Sequence, residues 1–201
     1  MRSTDRVLVS ALAVLSLFTV ACSTRDGSST DALPVIRAEG SRAREYHSLD
    51  ELATGASALV VVRPTGRESS VPLPATEGGT LGSAPTPFVE MRVLMVLSGA
   101  VSGTIVDVVS PGIDERNGGQ ALAVGGPYLL FLAPAMYGPN RPVGGYAIVG
   151  GPAGAFGSRG LSGGFDRIDG ESPSLPQSIT LGTTHLPAVV RTEAELLAAG
   201  P

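Results

Sequence analysis

Phe88-Val89-Glu90-Met91-Arg92-Val93-Leu94-Met95-Val96-Leu97 is the stretch that decides the fold. Side chains alternate across a strand, so Val89, Met91, Val93, Met95 and Leu97 share one face and Glu90 and Arg92 the other. The pattern predicts a strand that is half buried near its start. Upstream, Ala58-Leu59-Val60-Val61-Val62-Arg63 is rich in β-branched residues and ends at Pro64. Downstream, Thr104-Ile105-Val106-Asp107-Val108-Val109 follows a short hairpin-like gap after Ser98-Gly99. Tyr128-Leu129-Leu130-Phe131-Leu132 is apolar on both faces, which predicts a central strand. Tyr146 to Val149, Gly154 to Phe156 and Phe165 to Ile168 are shorter runs, the last ending at the turn pair Asp169-Gly170. Short strands punctuated by Gly and Pro predict an all-β fold, a small antiparallel barrel or sandwich.

Two short helices are expected at its ends. Ser48 and Glu51 have the spacing of a capping box, in which each side chain satisfies the other's orphan backbone donor, and that helix should stop by Gly55. Thr192-Glu193-Ala194-Glu195 repeats the pattern before Leu196, Leu197 and Ala199 near the C-terminus. Residues 67–87 carry Pro72, Pro74, Pro85 and Pro87 and read as a long connection, disordered or functional.

The order of these segments resembles that of secreted or lipid-anchored bacterial proteins with one small β-barrel of OB-like or netrin-like type. The resemblance is carried by Ala56-Ser57-Ala58-Leu59-Val60-Val61, by Val93 to Gly99, by Gly125 to Leu132 and by Tyr146 to Phe156. It covers about half the chain and departs at Ser98, where a Lys is usual, and at Pro64, in place of a small turn residue. It implies an OB-like barrel outside the cytoplasm and little about activity.

Cys22 is the only cysteine. Before it lie a charged start (Arg2, Asp5, Arg6), an uncharged and mostly apolar run from Val7 to Ala21, and a small residue next to the thiol. A membrane-spanning helix needs roughly 20 apolar residues, and this run ends sooner, in the polar tract Ser23 to Thr30. Residues 1–21 therefore read as a secretory signal, and Phe18-Thr19-Val20-Ala21-Cys22 resembles the lipobox of bacterial lipoproteins. Thr19 departs from the usual aliphatic residue, and plain secretion remains the alternative. The resemblance implies a diacylglyceryl group on the Cys22 sulfur, cleavage before it and fatty acylation of the new amine. The expectation is an anchor in the cell membrane, facing outward, since two or more acyl chains hold a protein stably. Residues 22–47, polar and without period, are expected to be a flexible tether, and residues 48–201 a single domain.

Composition narrows the partners. All 14 basic residues are Arg, and with abundant Ala, Gly, Val and Pro the chain resembles the product of a GC-rich genome such as an actinobacterium's. The net charge of −4 has no clustered basic block, which argues against nucleic acid. With one cysteine the chain can form neither an internal disulfide nor a multi-cysteine metal site.

The chain carries few residues in patterns that point to chemistry. Gly160-Leu161-Ser162-Gly163-Gly164 fits the G-x-S-x-G pattern, with Asp166, Asp169 and His185 following in hydrolase order. That motif needs a buried strand before the serine and a helix after it, and neither flank fits, so a hairpin loop is the simpler reading. His47 and His185 are the only histidines and stand far apart, so no metal site and no cofactor are expected. Asp114-Glu115 and Glu193/Glu195 lack the alternating ligands of a calcium loop, and Asp114, Glu115 and Arg116 are expected to cap a barrel end. Met136, Tyr137, Asn140 and Arg141, on a loop stiffened by Pro139 and Pro142, are the candidate binding residues, because Tyr and Arg are enriched at binding hot spots. The chain is thus expected to be a lipid-anchored, extracytoplasmic, non-catalytic binding module for an envelope protein, wall polymer or small ligand. A lipid carrier with an apolar cavity, and less readily a serine hydrolase using Ser162, are the alternatives.

Overall fold

Tyr128–Leu132 is buried at every position, because its strand has a core on each face. The computed structural model describes residues 33–37, 44–72, 85–138, 141–158 and 164–182. In chain order the elements are β1 (Ile36–Arg37), α1 (Leu49–Gly55), β2 (Ala58–Val71), β3 (Thr86–Gly99), β4 (Ile105–Val109), β5 (Ile113–Asp114), β6 (Tyr128–Gly138), β7 (Arg141–Ile148), β8 (Ala155–Gly157), β9 (Gly164–Arg167) and β10 (Ser178–Thr180). A 3-10 turn at Gly151–Gly154 precedes β8.

Eight strands form one mixed sheet in the order β10-β9-β8-β6-β2-β3-β4-β7, and a further β6–β7 pairing partly closes a ring of five: β6, β2, β3, β4 and β7. The mainly-β expectation holds at that level. An antiparallel ring does not, since β4 and β7 run parallel, meeting at Val108 and Tyr146. Gly145 allows that approach. It has φ +65°, and a Cβ there would lie 2.5 Å from the Asp107 carbonyl oxygen.

Alternation along the two-faced strands separates two cores. Ala58, Val60 and Val62 of β2 join Leu130 and Leu132 of β6, with Val89, Met91, Val106 and Val108, inside the ring. Leu59 and Val61 point the other way, with Leu129 and Phe131, against Leu52 of α1, Phe156 of β8, Phe165 of β9 and Ile179 of β10. There the Phe131 and Phe156 rings meet at 6.4 Å with a 57° tilt. β2 and β6 are therefore one wall between two cores.

The even alternation expected along β3 is broken. Leu59 pairs with Ser98 but Val60 with Val96, and Val61 with Met95 but Val62 with Val93, so β3 carries two extra residues. Each bulge turns the following side chains over. Val93 packs against the ring core, Leu97 against the outer core, and Met95 is half exposed. At the end of β3, Gly99 has φ +72° and presses on β2, where a Cβ would fall 2.0 Å from the Ser57 carbonyl oxygen.

Helix α1 forms where Ser48 and Glu51 place it. Ser48 Oγ accepts from the Glu51 backbone N–H at 3.2 Å. The return bond goes one residue further out than a capping box predicts, from the His47 N–H to Glu51 Oε2 at 3.0 Å.

Part of the expected tether is built into the fold. Pro34 is buried, β1 pairs antiparallel with β5, and Tyr46 packs against the outer core with the Arg44 guanidinium 5.1 Å from its ring centroid. Ordered structure thus begins well before Ser48, and it does so because Asp114 supplies a buried anchor for a segment with no hydrophobic period of its own. The connection read as 67–87 is also shorter, since β2 continues to Val71 and β3 begins at Thr86. The C-terminal capping pattern at Thr192 lies outside the described residues, as do Cys22 and residues 1–21.

Candidate functional site

The outer faces of the ring are unequal. Over β2 and β6 the outer side chains are buried by α1, β8, β9 and β10. Over β3 and β4 the outward side chains Arg92, Ile105 and Asp107 are exposed. This open wall is bracketed by two hairpins. β3 belongs to the β2–β3 hairpin, β7 to the β6–β7 hairpin, and β4 lies between β3 and β7. Because β6 runs antiparallel to β2, the Val71–Thr86 end of the first hairpin and the Gly138–Arg141 tip of the second lie at opposite ends of the ring.

The candidate residues of the 136–142 segment fall on the second tip. Met136 pairs with Pro142 and Gly138 with Arg141, so the segment is the end of a strand pair rather than a free loop. Met136 and Arg141 are both exposed there, and Tyr137 contributes its backbone to β6. Asn140 and the Tyr137 side chain lie outside what is described, as do Ser162 and His185. Asp166 and Asp169, which follow Ser162 in the chain, flank Arg167 at the end of β9, a strand where the serine motif would need a helix.

The outward face of β3 and β4 carries a charge pattern across its rows. Arg63 of β2 stands directly across from Arg92 of β3, and Arg92 directly across from Ile105 of β4. Two residues along, Glu90 faces Asp107. Thr65 Oγ1 donates to Glu90 Oε1 at 2.7 Å, and the Arg67 guanidinium lies 3.7 Å from Glu90 Oε2. Beyond Arg92 in the other direction come Leu94, the extra residue of a bulge, and Met95. Sequence reading placed Glu90 and Arg92 on the polar face but could not see Arg63 opposite, because register across the 72–85 connection is not written in either strand.

Asp114 is buried and saturated. It accepts from the Val35 N–H at 3.3 Å, the Arg116 N–H at 3.1 Å, Arg116 Nε at 3.0 Å, Arg116 Nη2 at 2.7 Å and Asn117 Nδ2 at 3.4 Å. The hydrogen bonds from the Arg116 guanidinium hold its carboxyl below the ordinary carboxylate value, against burial, which pushes it up. A carboxylate so fully engaged fixes β1 to β5 and has no lone pair left for a ligand. Nearby Tyr128 donates to the Val124 carbonyl at 2.5 Å, and burial pushes its phenol up to about 12.

Arg167 plays a similar structural part in the 168–177 loop. Its guanidinium donates to the backbone carbonyls of Asp169 (2.8 Å), Ser172 and Leu175 (2.6 Å) and to Gln177 Oε1 at 3.4 Å. No group of three or more His, Cys, Asp or Glu side chains is placed to hold a metal ion among the described residues. No helix among them is long and apolar enough to cross a membrane.

No family model, curated protein or solved structure matches the chain.

Proposed function

We propose that the chain is an extracytoplasmic envelope protein, anchored by lipid on Cys22, whose β-domain binds a partner or ligand without covalent catalysis. The ring order β2-β3-β4-β7-β6, with its partial closure, is an OB-like arrangement, and OB-type barrels bind ligands on the face of the second and third ring strands, flanked by the loops joining strands one to two and four to five. Here those are the β3–β4 wall and the tips of the β2–β3 and β6–β7 hairpins. Fold analogy alone assigns no ligand. The observation that carries the reading is the asymmetry of the ring: one outer wall covered by a second core, the other open between the β2–β3 and β6–β7 strand pairs.

The ring interior is filled by buried Val, Leu, Met and Tyr side chains, so the ligand is assigned to the outside of the barrel. The test is photo-crosslinking in the native host from Ile105, Asp107 and Arg141, with Glu171, on the loop after β9, as the control position. Specific adducts from the first three and none from Glu171 would support the wall as the binding face. Equal capture from all four, or none, would refute it. In the same host, Cys22→Ser should move the exported protein from the membrane to the soluble fraction, and continued membrane attachment would place the anchor elsewhere.

A further inference from the structure

Arg63 and Arg92 oppose each other directly across β2 and β3, and both are exposed. Like charges in directly opposed positions destabilise a strand pair. Neither guanidinium has a carboxylate within ion-pair distance among the described residues, unlike Arg67, which pairs with Glu90, and Arg116, which pairs with Asp114. In a chain with net charge −4, two cations in one row, neither ion-paired among the described residues, stand out. Three large apolar side chains adjoin them on the wall: Leu94 is 47% exposed, Met95 51% and Ile105 40%.

We infer that this row is a subsite for an amphiphilic anion, a phosphate or carboxylate group joined to an apolar chain, a reading that rests on the open wall being the binding face. An anion between the two guanidinia turns their repulsion into two charge-assisted bonds, and the planar fork of Arg suits both head groups. The direction of the ligand follows from the neighbours. Glu90 and Asp107 bound the row on one side, so the apolar body runs the other way, over Leu94 and Met95, with Ile105 beside the head group. A single-stranded nucleic acid is the less suitable anion, because it needs aromatic platforms for its bases, and Phe88, the aromatic residue of β3, is 2% exposed.

The test uses the full chain carrying Cys22→Ser, titrated with decyl phosphate below its micelle concentration and followed by calorimetry. Inorganic phosphate, decanol, a thymidine oligonucleotide and vesicles of phosphatidylglycerol are the comparison probes. Decyl phosphate should bind at one site, and both inorganic phosphate and decanol more weakly. Arg63→Gln with Arg92→Gln should weaken decyl phosphate binding by about tenfold or more, the loss of one or two charge-assisted bonds. Leu94→Ser with Met95→Ser should weaken decyl phosphate and leave inorganic phosphate unchanged, whereas Arg44→Gln, beside Tyr46 on the covered side of the ring, should change neither. Unaltered binding by the double arginine variant, with its thermal midpoint at the parent value, would overturn the inference. So would tighter binding of the oligonucleotide, or binding to vesicles without binding of the monomer. If the crosslinks from Ile105 and Asp107 persisted in any of those cases, the wall would stand as a binding face and only its ligand class would be wrong.

Discussion

Asp114 and Arg116, two residues apart, form a two-pronged ion pair, Nε to Oδ1 at 3.0 Å and Nη2 to Oδ2 at 2.7 Å, while the same carboxylate takes the Val35 backbone N–H from the other side. One buried acid thereby closes the 113–118 turn and fastens β1 to the domain. Asp114→Asn should cost about 2 kcal/mol, the scale of hydrogen bonds to a charged group, measured by urea denaturation at pH 7.

The pH dependence of that difference has a fixed sign. The Asp114 carboxyl is held below the ordinary aspartate value of 3.8, chiefly by the Arg116 side chain. Its contribution is therefore complete above pH 3.8 and is lost as pH falls through the lower folded value. The gap between parent and Asp114→Asn should be constant from pH 7 to pH 5 and shrink below pH 3.8. A gap that widened on acidification would contradict the pairing.

Gly99 and Gly66 share a left-handed backbone, at φ +72° and +82°, but not their surroundings. Gly66→Ala has nothing within 4 Å of the new Cβ and should cost only the conformational term, about 1–2 kcal/mol. Gly99→Ala adds a clash with the Ser57 carbonyl and should cost distinctly more, with loss of hydrogen-exchange protection at Ser57 and Ala58. Equal costs would mean that β3 does not press on β2 at that point.

Ser48→Ala removes an N-cap whose hydroxyl accepts from the Glu51 N–H. A loss of about 1 kcal/mol is expected. Ser48→Asp, which keeps the acceptor, should restore most of it in the same thermal melt.

Arg167→Met leaves the carbonyls of Asp169, Ser172 and Leu175 without their shared donor. Faster amide exchange and proteolysis confined to 168–177 should follow, with a stability loss of about 2 kcal/mol. Exchange unchanged in that loop would show that the guanidinium does not organise it.

The wall strands were legible because every position of Tyr128–Leu132 and of Ala58–Val62 is apolar, but Pro64 does not end its strand as expected, since β2 runs through it to Val71. Helix α1 was legible from Ser48 and Glu51. The bulges at Leu94 and Leu97 were not, since an inserted residue leaves the composition of β3 unchanged and shows only in its pairing with β2. β1 and β10 were missed because runs of two and three residues are too short to show a period. The parallel closure at Val108 and Tyr146 depends on which end of β4 meets β7, and neither strand encodes that. Of the site, the tip residues Met136 and Arg141 were legible by type, and Arg92 by its place on a polar face. Its partner Arg63 needed register. The β3–β4 wall could be recognised as open only once its opposite was seen to be covered.

Since β2 and β6 are a partition shared by two hydrophobic interiors, neither interior can exist without the other's half of the chain. Residues near 58 and 130 must be in place before either is dry. Such a domain is expected to melt as one cooperative unit.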